Sequence, residues 1–209
     1  MKLKHTPGAS MDVTTNGFLL TISDGAVKNY RMAQLDDYAK STRKDFPHRP
    51  SLSLSLRARA SADSIPGTWG FGLWNDPFGL SIGFGGNPFR IPALPNAIWF
   101  FHASQENYLS FEEKPGNGFL AQAFRSPILP LARLARVAAT FPFSRVKARE
   151  LMSKIVEEDG VRLSVDVTEW HRYRLEWGPR RSAFWVDKNL VLETSVSPRP
   201  PLGLVIWID

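Results

Sequence analysis

Residues 51–60 read SLSLSLRARA, ten positions of strict alternation. Leu52, Leu54, Leu56, Ala58 and Ala60 fall on one face, and Ser51, Ser53, Ser55, Arg57 and Arg59 on the other. This predicts a long strand with one buried face and one polar face that meets solvent or lines a groove. GFLLTIS (17–23) and NYRMAQLDDYA (29–39) read as strands broken at Asp24-Gly25, the second also compatible with a short helix. TWGFGLW (68–74) fits a strand whose glycines let backbone approach closely beside large aromatics. A Gly/Pro-rich loop follows, then the apolar strand NAIWFFHA (96–103) and a further strand beginning in NYLSFEE. RLSVDV, RYRLEW, SAFWV, LVLETS and LGLVIWID supply more strands at the spacing of an all-β sandwich, with Asp187 to Asn189 as a three-residue hairpin connection.

Residues 128–158 break the period. Leu131, Leu134 and Ala138 lie on one helical stripe, and Ala148, Leu151, Met152 and Ile155 on another, which predicts a helical insertion in an otherwise β chain. Leu131 and Leu134 beside Arg133 and Arg136 allow contact with an anionic membrane or a protein partner. The ordinary arrangement packs the apolar stripe on the sheet and leaves the arginines in water. Helices laid across a concave sheet would close it.

The 209 residues suit one sandwich domain over 1–209, and 43% hydrophobic residues are enough for a sizeable core. The formal net charge is +6. Seven basic residues against the single acid Glu150 between Arg125 and Lys154 account for all of it, and the rest of the chain is balanced. So local a surplus argues against a nucleic-acid-binding domain. Cysteine is absent, which excludes disulfides and thiolate chemistry. No signal-peptide pattern or apolar run of membrane-spanning length is visible, so the expectation is a soluble, cytoplasmic protein. The chain stops at VIWID inside an apparent strand, which calls for a covered edge or a further strand beyond it.

Three segments carry a resemblance. LSLRARASADSIPGTWGFGLWND (54–76), WHRYRLEWGPRRSAFWVDKNLVL (170–192) and PLGLVIWID (201–209) resemble glycoside hydrolase family 16. The resemblance implies a concanavalin A-like β-jelly-roll sandwich of two antiparallel sheets, the concave one forming a carbohydrate cleft. Retaining glycosidases need two carboxylates about 5–5.5 Å apart. The family sets them in a Glu-x-Asp-x-x-Glu strand, which here corresponds to NAIWFFHAS (96–104). That strand has no acid, and the pattern occurs nowhere in the chain.

Other acids are available: Asp76, Glu106, Glu112, Glu113, and the neighbours Asp36 and Asp37, which strand geometry sends to opposite faces. Each reads first as a solvated carboxylate. His5, His48, His102 and His171 match no zinc spacing, and no calcium loop, phosphate loop or nucleophile elbow appears. No metal, cofactor or catalytic residue is therefore expected. Trp177 and Trp207 are expected in the core, and His171 in a backbone hydrogen bond. The expected function is non-catalytic carbohydrate binding in the concave groove, through Arg57, Arg59, Trp69, Trp74, Asn75, Trp99, His102 and Trp185. Indoles stack on the apolar faces of sugar rings, and guanidinium groups bond hydroxyls or a carboxylated sugar. Two alternatives stand beside it: a divergent glycosidase with relocated carboxylates, and an interaction protein using the basic helices.

Overall fold

The computed structural model describes residues 1–24, 30–77, 93–111, 114–128, 150 and 152–209. Among these, thirteen strands run β1 (Lys2–His5), β2 (Ala9–Thr14), β3 (Gly17–Ile22), β4 (Ala33–Asp36), β5 (Leu52–Ala58), β6 (Thr68–Trp74), β7 (Ala97–Ala103), β8 (Gly118–Arg125), β9 (Glu157–Arg162), β10 (His171–Trp177), β11 (Ser182–Val186), β12 (Asn189–Thr194) and β13 (Gly203–Ile208). They form a seven-stranded sheet, β1-β4-β13-β6-β7-β8-β9, a four-stranded sheet, β12-β11-β10-β5, and the separate hairpin β2-β3. Every pairing within them is antiparallel. The protein is an all-β sandwich of two antiparallel sheets.

The two sheets face each other across an aromatic core. Phe100 from β7 meets Tyr173 of β10 and Phe184 of β11 at ring separations of 5.0 and 5.4 Å, and Phe71 and Phe119 close on the same Tyr173. On β5 the alternation holds: its leucines pack on this core while Ser53, Ser55 and Arg57 are exposed. Trp177, 1% exposed, lies in the core as expected.

Several expectations change. NYRMAQLDDYA is a strand at Ala33–Asp36, buried throughout, and not a helix. The start of the chain, unassigned by pattern, supplies β1 and β2. NYLSFEE carries no strand among the described residues; a 3-10 turn at Gln105–Asn107 leads into an irregular loop, and Glu112 and Glu113 lie outside the described residues. RLSVDV is strand only at its start, since β9 ends at Arg162. The hairpin connection is Asp187-Lys188, two residues, with Asp187 at φ 56°. The final strand is no edge, because β13 pairs β4 on one side and β6 on the other.

Of the helical insertion, Glu150, Met152 and Ser153 are helical, and 129–149 lies outside the described residues, Arg133 and Arg136 included. The helical spacing read to residue 158 overruns. Glu157 and Glu158 belong to β9, where pairing with Arg125 and Phe124 of β8 overrides a weak local preference. No helix among the described residues is long and apolar enough to cross a membrane.

Candidate functional site

The side of the seven-stranded sheet turned away from the four-stranded sheet is where a jelly roll would carry its cleft. Register fixes what stands on this cleft face: Trp207 opposite Gly70, Trp99 opposite Gly72, Gln122 opposite Trp99, Phe101 opposite Leu120, and Ala97 between Trp74 and Phe124. The two glycines are needed there. A Cβ on Gly72 would come within 2.4 Å of the Ile98 carbonyl and 2.5 Å of Trp99 Cβ; one on Gly70 would come within 2.4 Å of the Phe100 carbonyl. Their absent side chains let Trp99 and Trp207 lie across β6, with Trp74 stacked on Trp207 at 6.1 Å and 4° between planes.

This face is filled. Leu94, Met152 and Val156 pack on it, together with Leu109 and Phe111 from the loop after β7. Gln122, buried on β8, accepts from Trp99 Nε1 (3.3 Å) and donates to the carbonyls of Leu109 (3.1 Å) and Pro115 (3.3 Å). Glu158 on β9 accepts from the Ser110 hydroxyl and from the Phe111 N–H (2.9 Å). These two side chains hold the loop down over the aromatic floor, and Trp99 keeps 2% exposure.

Among the described residues three carboxylates are buried, Asp36 and Glu158 on the cleft face and Asp76 just past the end of β6. Asp36 pairs with Lys4 (3.4 Å) and accepts from Gln34 (2.8 Å) and the Ala39 N–H (2.8 Å). Asp37, on the opposite side as expected, is 2.6 Å from His48 Nε2 and accepts from the Leu204 N–H. β4 and β9 are five strand spacings apart in the sheet, about 24 Å. Retaining and inverting glycosidases hold their carboxyl pair within about 5–10 Å. Asp36 and Glu158 serve as anchors of structure.

The structure divides the eight candidate residues among three places. Trp69 and His102 lie between the sheets, 8% and 6% exposed, with rings stacked at 5.5 Å. His102 has its pKa lowered by burial. Trp74 and Trp99 belong to the cleft-face cluster, where Trp74 donates to the Tyr38 hydroxyl at 2.6 Å. Asn75 is buried and spends its amide on the backbone, donating to the Leu94 carbonyl (2.8 Å) and accepting from the Asn96 N–H (3.0 Å). A set expected in one open groove is thus separated, and half of it is buried. Trp207, expected in the core, is half-buried in the same cluster.

Arg57, Arg59 and Trp185 come together instead, on the outer face of the four-stranded sheet. Arg57 stands in register opposite Arg172, and Ser55 opposite Arg174, which in turn faces Trp185. The Arg174 guanidinium lies over the Trp185 ring at 4.2 Å. Trp170, 53% exposed, has the guanidinium groups of Arg57 and Arg59 at 5.5 and 5.4 Å. Trp170, Arg172 and Arg174 were not singled out from sequence, although their i, i+2 spacing in WHRYR places them on one strand face. His171 between them is a clip: Nδ1 is 2.9 Å from Asp187 Oδ2 and Nε2 3.0 Å from the Asp166 carbonyl. With both nitrogens facing acceptors the imidazolium is favoured, and the bond to Asp187 raises its pKa. Among the described residues, no group of His, Asp or Glu side chains is placed to hold a metal ion.

No family model and no curated protein matches this chain. Solved structures similar to it include LamAcat from Zobellia galactanivorans, with 15% identity, a TM-score of 0.41, and coverage of 84% of this chain and 57% of that one. The laminarinase catalytic domain from Thermotoga maritima MSB8 has 11% identity and a TM-score of 0.39, with 95% and 62% covered. The GlcNAcα1-4Gal-releasing endo-β-galactosidase from Clostridium perfringens has 12% identity and a TM-score of 0.44, with 99% and 52% covered. The chain thus spans less than two thirds of each of these structures. Likeness this distant leaves the chemistry to the site's own geometry.

Proposed function

We propose that this chain is a single sandwich domain, with a helical insertion between β8 and β9, that binds carbohydrate without cleaving it. Its binding surface is the outer face of β5, β10 and β11, and not the cleft face. The observation that carries this reading is the strip Trp170–Arg57–Arg172–Arg174–Trp185. It sets a half-exposed indole with two guanidinium groups over it, and a second indole carrying the Arg174 guanidinium, along one face of a regular sheet. Indole faces suit the apolar faces of sugar rings, and guanidinium donors suit the oxygens at their rims. Register fixes the backbone of the strip before any ligand arrives, which limits the ordering cost of binding. The filled cleft face and its widely separated acids support binding over hydrolysis.

The test is a tryptophan-fluorescence titration against β-glucan, galactan and uronate oligosaccharides, with reducing ends assayed in the same samples. The expected result is a saturable change without release, lost in Trp170→Ala. Release of reducing ends, or binding indifferent to Trp170, overturns the reading.

A further inference from the structure

The outer-face strip carries four arginines, Arg57, Arg59, Arg172 and Arg174, against one acid, Glu176. Glu176 is 3.6 Å from Arg174, and among the described residues Arg57, Arg59 and Arg172 have no ion-pair partner. The nearest other acid, Asp187, already accepts from the Arg172 N–H and faces His171. Outside residues 125–154 the chain is charge-balanced, so this surplus is segregated onto one face.

The register makes the surplus costly in the free protein. Arg57 and Arg172 are directly opposed across β5 and β10, and like charges in that position destabilise a sheet. Arg57 and Arg59 also crowd the same indole. The acids nearby, Glu176 against Arg174 and Asp187 near Arg172, leave Arg57 and Arg59 without an ion-pair partner among the described residues. A bound anion would remove the repulsion.

The guanidinium groups indicate which kind of anion. A guanidinium presents its N–H groups in a planar fork that matches a carboxylate. The Arg174 guanidinium carbon lies 4.2 Å from the Trp185 ring centre, with one of its nitrogens 3.6 Å from Glu176. Trp170 is the single exposed indole of the seven. Trp170 and Trp185 are about 14 Å apart by strand geometry, four residues along and one strand across. That is room for a short run of sugar rings, with one ring on Trp170 and acidic groups along the arginines.

We infer that the ligand of this face is an acidic glycan, a uronate-containing oligosaccharide whose carboxylates are taken by Arg57, Arg59, Arg172 and Arg174 while a ring packs on Trp170. This inference rests on the carbohydrate reading above and narrows it.

The experiment compares a short oligogalacturonate with its fully methyl-esterified form, which keeps the sugar and removes the charge. A neutral β-glucan oligosaccharide and a single-stranded DNA oligonucleotide are titrated in parallel. The free acid is expected to bind at least about tenfold more tightly than the ester, as charge-assisted bonds require. Added salt should weaken it. Arg57→Gln with Arg59→Gln should remove most of that preference while melting no lower than the parent, since a like-charge pair has been relieved. Arg57→Lys, keeping the charge and losing the fork, should fall between them. Equal binding of acid and ester, or of the glucan, leaves the carbohydrate reading standing and overturns the acidic one. Binding of the DNA alone, or of no probe at all, overturns both.

Discussion

Trp69 and His102 stack with their ring centres 5.5 Å apart between the sheets, and among the described residues neither Trp69 Nε1 nor His102 Nδ1 has a hydrogen-bond partner. An indole N–H and an imidazole nitrogen are thus buried beside Phe119, whose ring stacks on Trp69 at 4.9 Å. An unpaired buried polar group costs about 1–3 kcal/mol, so this stack is a weak point of the core and not a catalytic pair.

His102→Leu is accordingly expected to leave stability at pH 7 unchanged or raised, within the ~1.5 kcal/mol of a volume-conserving swap. Burial depresses the His102 pKa below 6.5, so the contribution of this residue is present above pH 6.5 and is lost as pH falls through the depressed value. The variant should therefore lose less stability between pH 7 and pH 5 than the parent. Urea unfolding at both pH values checks this; a large loss at pH 7 would mean that the imidazole has an essential partner.

Gly72→Ala should be among the most damaging single substitutions. Its new methyl would meet Ile98 and Trp99 backbone atoms at 2.4–2.6 Å, and backbone cannot step aside as a side-chain end can. Overpacking of this kind costs about 1–3 kcal/mol or prevents folding. Thermal unfolding of Gly72→Ala beside Gly17→Ala, where nothing lies within 4 Å, provides the comparison.

Glu158→Ala strips the acceptor from the Ser110 hydroxyl and the Phe111 N–H. The expected cost is about 1–3 kcal/mol, concentrated in the loop over the cleft face. Hydrogen exchange should speed up at 108–111 while the β6–β7 ladder stays protected. No glycosidase activity should appear, because opening the loop does not supply an acid pair. Appearance of such activity would count against binding without cleavage.

The His171–Asp187 clip has a defined pH window. The bond to Asp187 raises the His171 pKa above 6.5, so that contribution is complete below pH 6.5 and is lost as pH rises through the raised value. The Arg172 N–H and then His171 hold the Asp187 pKa below 3.8, so its contribution is present above 3.8 and is lost as pH falls through the lowered value. His171→Gln should cost most between about pH 4 and 6.5 and progressively less above it. A penalty that grows with rising pH would contradict the clip.

The sandwich was legible wherever strands alternate or concentrate aromatics. SLSLSLRARA announced β5, the glycines of TWGFGLW announced close approach, and SAFWV matches β11 residue for residue. The candidate site was much less legible. Alternation says that Trp69 and Trp74 occupy opposite faces of β6, but not which face receives another layer. That depends on a loop after β7 and on Met152 and Val156, whose packing on the sheet is long-range. Asn75 looked like a polar group at a strand end free for a ligand, yet its amide closes a backbone clip nineteen residues away at Leu94. Trp170 and Arg174 were within reach, since WHRYRLEW alternates as plainly as β5. They become a site only once β10 is known to pair with β5, bringing Arg57 opposite Arg172.

The most direct test of the outer face as the binding surface is oxidative footprinting of the tryptophans with and without saturating uronate oligosaccharide, read residue by residue by mass spectrometry. Trp170 is the one exposed indole, and Trp74 reports the cleft face without any mutation that disturbs the fold. The expected result is strong protection of Trp170, weaker protection of Trp185, and no change at Trp74 or Trp207. Protection of Trp74 and Trp207 with Trp170 still reactive would place the ligand on the cleft face and contradict the account.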